Sequence, residues 1–225
     1  MVSRRSVRGG LLSAAVAGSL LLGATGCGGD GDEDGVPDDY KVVAGTELCG
    51  GAMSADASKA LKVITGSSRF EASSEEYSVA EAATDLAAEY PPPAPRKDAC
   101  RVYTPLGTPH FELRITWSLA EDAPSDGPRD PEFTVLKMGE ETVTAADKAY
   151  VYFACQSDRF PLPSALAHIV IGVERGGMPK DPEGDVEALK DAYATVAHSF
   201  SLAMAKELRC EKNGGLPARP VLDPA

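Results

Sequence analysis

The chain has 225 residues, 34 of them acidic and 22 basic, with a net charge of −12 at neutral pH. An acidic surface repels nucleic acid and anionic lipid, so neither is expected as a direct surface partner. At this length, with 43% hydrophobic residues, the chain can build one domain with a real core.

The first segment reads as an export signal. Arg4, Arg5 and Arg8 give a basic start, Leu11 to Leu22 an apolar run, and Gly23-Ala24-Thr25-Gly26 a small-residue end. The apolar run is about twelve residues, against the roughly twenty that span a bilayer, which argues against a transmembrane anchor. Cys27 stands at the cleavage point. The layout resembles a bacterial lipoprotein signal, in which that cysteine is lipidated and becomes the new N-terminus. Ala24 stands where such signals usually carry Leu, Val or Ile. Residues 1–26 are read as a lipoprotein-type signal peptide. A lipid on Cys27 would hold the protein to the cell membrane on its extracytoplasmic face. Ser3-Arg4-Arg5-Ser6-Val7-Arg8 also resembles a twin-arginine export motif, with Val7 where Phe is usual, and both export routes stay open. The signal holds three of the 22 basic residues and none of the 34 acidic ones, so the net charge behind it is −15.

Residues 27–39 form an acidic Gly/Asp spacer with no apolar face to bury. Within it, Asp30, Asp32, Asp34, Gly35 and Asp38 match the front of a calcium loop. Position twelve of that loop is Lys41 rather than a chelating Glu, and no helix precedes it. The reading adopted is spacer, with no metal and no cofactor assigned.

Residues 40–212 are expected to form a single domain. Ser54 caps a helix that runs to about Ile64 and stops at Gly66. Ser78 caps a second, from Val79 to about Glu89, ended by Pro91-Pro92-Pro93. Cys100 to Thr104 is expected as a short strand. Phe111, Leu113, Ile115 and Trp117 alternate with Glu112, Arg114 and Thr116, the period of a half-buried strand. Phe133 to Met138 is another short strand. Ala149, Val151, Phe153 and Cys155 alternate with Tyr150, Tyr152 and Ala154, and Ile169, Ile171 and Val173 line one face of a further strand. A long helix follows from Asp185 to about Arg209, with Val186, Leu189, Tyr193, Val196, Phe200 and Met204 in one stripe. Asn213-Gly214-Gly215 and three later prolines mark residues 213–225 as a loose, disordered tail. Consecutive strands followed by a helix give an α+β domain: an antiparallel sheet with helices packed on one face and a long C-terminal helix.

Four cysteines remain behind Cys27, an even number that suggests two disulfides in an exported chain. None of the spacings is a CxxC, which argues against zinc and thioredoxin-type chemistry. Sequence alone permits three connectivities. Cys49 precedes the first helix and Cys100 opens the strand after the two-helix excursion. Cys155 shares the apolar face of its strand, and Cys210 ends the helix that should cover that face. The expected pairs are therefore Cys49–Cys100 and Cys155–Cys210.

No catalytic residue emerges. A serine nucleophile needs a histidine held by a carboxylate, and the chain has no G-x-S-x-G. His110 follows Pro109 at a strand entry. His168 lies on the strand face away from Ile169 and Ile171. His198 falls on the side of the long helix opposite its stripe and is expected to be solvated. Gly172, Gly176 and Gly177 lack the lysine and following helix of a phosphate loop, so Arg175-Gly176-Gly177 reads as a turn.

With its signal, Leu48-Cys49-Gly50-Gly51, cysteine strands at Cys100 and Cys155, and a terminal helix ending in Cys210, the chain resembles small actinobacterial cell-envelope lipoproteins of unknown function. The resemblance implies membrane attachment outside the cytoplasm and brings no catalytic residues. The function expected is a non-enzymatic, lipid-anchored binding or interaction domain of the cell envelope, with an envelope protein or a small ligand as partner. The alternative is an extracytoplasmic hydrolase with an unrecognised site. A pocket holding a histidine, a carboxylate and a hydroxyl within reach would favour the enzyme.

Overall fold

The computed structural model describes residues 41–73, 75–125, 127–177 and 182–225. The expected signal peptide, Cys27, the expected spacer and the Asp30–Asp38 segment lie outside the described residues.

In chain order the elements are β1 (Val42–Ala44), α1 (Leu48–Gly51), α2 (Ala55–Thr65), β2 (Arg69–Glu71), α3 (Val79–Ala88), β3 (Ala94–Tyr103), β4 (Glu112–Ala120), β5 (Thr134–Leu136), β6 (Glu141–Thr144), β7 (Lys148–Cys155), β8 (Ala167–Arg175) and α4 (Val186–Glu207). β1 and β2 pair as a small separate ladder. The other six strands form one antiparallel sheet in the order β3-β4-β8-β7-β6-β5. The expected α+β class, the long C-terminal helix and both disulfides are present.

The helix ends sit where the capping chemistry puts them. Ser54 Oγ accepts the Ala57 N–H at 3.1 Å, and Gly66 closes α2 at φ +78°, a left-handed turn that costs a glycine little. Ser78 Oγ accepts from Glu81 N–H at 3.2 Å at the start of α3, and Asp185 Oδ1 from Ala188 N–H at 2.8 Å at the start of α4.

The alternation read in the strands sets the two faces of the sheet. Ile115, Val173 and Ala149 lie in one row, Trp117, Ile171 and Val151 in the next, and Leu119, Ile169 and Phe153 in a third. All are buried in one cluster with residues of α2, α3 and α4. Both disulfides join this cluster: Cys49–Cys100 with a Cα separation of 5.6 Å and Cys155–Cys210 with 4.9 Å.

Three features differ from expectation. β3 begins at Ala94, six residues before Cys100. Register shifts between Ala94 and Lys97 and between Asp98 and Cys100 break its alternation, and as an edge strand it tolerates Pro95. Secondly, His198 is buried rather than solvated. Every residue of α4 from Ala192 to Ser201 is buried, because the helix touches the sheet on one side and α2 and α3 on another. Thirdly, residues 213–225 are not a loose tail. Glu211–Gly215 makes a short turn with Lys212, Asn213 and Gly214 in left-handed conformation, Leu216 is buried, and Val221 and Leu222 pack on Leu136, Met138 and Ala194. The Ala225 N–H donates to the Val135 carbonyl at 2.9 Å, and Pro224 bridges Leu136. The glycines and prolines shape this strap, but three apolar side chains fasten it. The same strap accounts for His198, whose Nε2–H donates to the Pro217 carbonyl at 2.8 Å.

Candidate functional site

With the helices on one face of the sheet, the other face is left with every second residue of each strand. Thr116 on β4, Gly172 on β8, Tyr150 on β7 and Val143 on β6 stand in one row. Ser118, Val170, Tyr152 and Glu141 stand in the next. Of the connection between β4 and β5, residues 121–125 and 127–133 rise beside these rows. Sheet and connection together enclose a cleft of about 740 Å³.

Ion pairs fix its walls. Arg129 holds Glu141 through Nε at 3.1 Å and Nη2 at 2.8 Å, and Nη2 also donates to the Ser125 carbonyl at 2.7 Å. This two-point contact sets the orientation of the guanidinium and ties the connection to β6. Lys148 reaches Glu132 at 2.9 Å and lies 5.4 Å over the Phe133 ring. The bond to Glu132 holds the Lys148 ammonium above its ordinary pKa. Phe133 in turn meets Tyr150 edge to face at 6.2 Å. From β3, Arg96 donates to Glu174 at 2.5 Å and sits 5.4 Å from the Tyr150 ring centre. The Tyr150 hydroxyl also donates to Glu174. Burial first, then the bond to Glu174, pushes the Tyr150 phenol far above its ordinary range.

Tyr150 can lie across β8 because Gly172 is bare. A Cβ there would stand 2.8 Å from Thr116 Oγ1 and 3.1 Å from Tyr150 Cε1. Tyr152 differs from its neighbour, since its phenol makes no hydrogen bond among the described residues. Burial and the Glu141 charge push its pKa up, while Arg129 and Arg96 oppose them. Both phenols therefore stay protonated donors at neutral pH.

Further along the same face the pairing continues as a lattice. Asp98 binds Arg101 at 2.6 Å and also Arg114, and Arg101 reaches Glu112 at 3.2 Å. Burial alone would raise the Asp98 pKa, but the two guanidinium hydrogen bonds outweigh it and the carboxyl falls below its usual 3.8.

The three histidines are scattered. His110 is exposed at the entry to β4. His168 places Nδ1 2.9 Å from both Glu140 carboxylate oxygens and stands between Ala120 and Ala154. No hydroxyl among the described residues bonds to its ring. Burial pushes His198 below its ordinary pKa, which the bond to Pro217 only partly offsets. Among the described residues, no three His, Cys, Asp or Glu side chains are grouped to hold a metal ion, and no helix is long and apolar enough to cross a membrane. The four disulfide cysteines come together as the two expected pairs. The cleft itself was not marked in the sequence. In the sequence Tyr150 and Tyr152 stand only as residues alternating with the apolar face of a strand, although two aromatic residues on an outward face are a signal of a surface with a use. Comparison with protein-family models, with curated proteins and with solved structures gives no match to the chain.

Proposed function

We propose that this protein is a lipid-anchored extracytoplasmic binding domain of the cell envelope, held to the membrane through Cys27, and that it binds in the cleft on the helix-free face of the sheet. One observation carries the reading. Aromatic rings and fixed ion pairs converge in a cavity of about 740 Å³, within the roughly 300–1,000 Å³ of ligand sites. Buried disulfides support an oxidising compartment, in keeping with the export signal. The hydrolase reading has one observation in its favour, the His168–Glu140 pair, which holds an imidazole as a general base is held. That pair lacks a hydroxyl partner among the described residues and stands outside the cleft lining.

Hydrogen–deuterium exchange tests the location. The chain extracted from its own membrane is compared with the chain produced alone. Slower exchange is expected in residues 121–133 and in the cleft-lining parts of β6, β7 and β8. Protection confined to α2 and α4, with the cleft unchanged, would overturn the assignment.

A further inference from the structure

We infer that the cleft takes an uncharged, hydroxyl-rich ligand, a neutral oligosaccharide; this rests on the reading of the cleft as a binding site. The first ground is charge. The cations of the lining are Arg96, Arg129 and Lys148, and its anions are Asp130, Glu132 and Glu141. Arg129 is matched by Glu141, Lys148 by Glu132, and Arg96 by Glu174 just outside the lining. Only the exposed Asp130 is left over, so the cleft carries about one negative charge on a chain of net charge −12. A phosphate or an acidic polymer would have to displace a carboxylate from its partner. A polycation would find only the exposed Asp130 open, and to reach any other carboxylate it would have to displace a guanidinium or the ammonium.

The second ground is hydrogen-bond chemistry. A fixed Arg–Glu pair presents donors and acceptors side by side. Adjacent hydroxyls on a sugar ring do the same, one accepting from the guanidinium while the other donates to the carboxylate. The Tyr152 phenol, directly across from Glu141 in the same row, adds a further group that both donates and accepts. Its ring and the neighbouring, half-buried Val170 side chain offer apolar surface for the C–H face of a pyranose. The third ground excludes an added peptide strand. The floor is β4, β8, β7 and β6, each already paired on both sides, so no backbone ladder is open to an incoming chain. Recognition must run through side chains. The pairs are set before a ligand arrives, which lowers the ordering cost of binding.

The test is calorimetric titration of the full chain with neutral oligosaccharides of hexose, N-acetylhexosamine and pentose units. A galacturonate oligomer and tetra-alanine serve as the charged and peptide comparators. Saturable binding to at least one neutral oligosaccharide is expected, with affinity little changed between low and high salt. Tyr152→Ala and Arg129→Met are each expected to weaken it roughly tenfold or more. Tyr152→Phe, which keeps the ring and the fold, should weaken it severalfold, and His168→Ala, outside the cleft, should leave it unchanged. Absence of binding to every neutral oligosaccharide, tighter binding of galacturonate or tetra-alanine, or binding that survives Tyr152→Ala and Arg129→Met would overturn the inference. If exchange protection still falls on the cleft while no neutral sugar binds, the binding site stands and only the ligand class is refuted.

Discussion

The bare Cα of Gly172 decides how Tyr150 sits, and through Tyr150 where Arg96 and Glu174 meet. Gly172→Val would drive methyl groups into Thr116 and the Tyr150 ring. The expected cost is about 1–3 kcal/mol of overpacking, read as a lower midpoint in urea unfolding. His198 gives a second residue-scale test, in pH. Its folded-state pKa lies below the ordinary 6.5, so the unfolded chain binds the proton first as pH falls. The stabilising contribution is complete above about pH 6.5 and is lost as pH falls toward the folded value. The melting temperature is therefore expected to fall between pH 7 and pH 5, and the fall should be smaller in His198→Gln. Neither residue's role was legible from sequence. Gly172 looked like a failed phosphate-loop glycine because its importance depends on a neighbour across the sheet. His198 looked solvated because a helical stripe identifies one covered face, and α4 has several.

At the level of elements, caps and alternation were the readable signals. Ser54, Gly66, Ser78 and Asp185 act through hydrogen bonds to residues within four positions, so local sequence fixes them. β7 alternates strictly, and β4 and β8 do so except where Thr116 and Gly172 are buried against each other on the outward face, because one face is core. The start of β3 was hidden by its bulges, and β6 by having only four residues. The C-terminal strap was misread because apolar anchors at Leu216, Val221 and Leu222 are spaced by no regular period. Removing residues 216–225 would uncover Leu136, Met138 and Ala194 and leave the back of α4 open. A loss of about 2–4 kcal/mol is expected in denaturant unfolding, from the apolar area involved. An unchanged midpoint would return the strap to the status of a tail. A second junction is as specific. Ser199 Oγ accepts the Ser54 N–H at 2.8 Å and donates to the Ala52 carbonyl at 2.9 Å, joining α4 to the start of α2. Ser199→Ala leaves both groups unpartnered, and about 1–3 kcal/mol is expected to be lost.

For the whole molecule, the strongest sequence reading concerned how the chain is held together. Placing each cysteine at the edge of the expected core was enough to choose among three pairings. Cysteine positions constrain topology more tightly than composition constrains function. Replacing Cys155 and Cys210 together by Ala is expected to cost about 2–5 kcal/mol, measured against the intact protein under non-reducing conditions. The anchor has its own check. Mass spectrometry of protein extracted from its membrane should find a diacylglyceryl group on a peptide beginning at Cys27, and Cys27→Ala should release the protein. An unmodified Cys27 in extracted protein would end the lipoprotein reading.

The order of the two bridges along the chain has a bearing on biogenesis. Cys49 joins Cys100, and Cys155 joins Cys210, so each cysteine pairs with the next one to follow or precede it and the closed loops never interleave. If the chain takes the general export route, threaded unfolded from its N-terminus with its lipid on Cys27, it presents Cys49 and Cys100 to an oxidase before Cys155 has emerged. Oxidation in order of appearance then yields the native bridges directly, with no wrong pair to undo. On that route, oxidative folding of the exported chain is expected to depend on a thiol oxidase and to proceed without a disulfide isomerase.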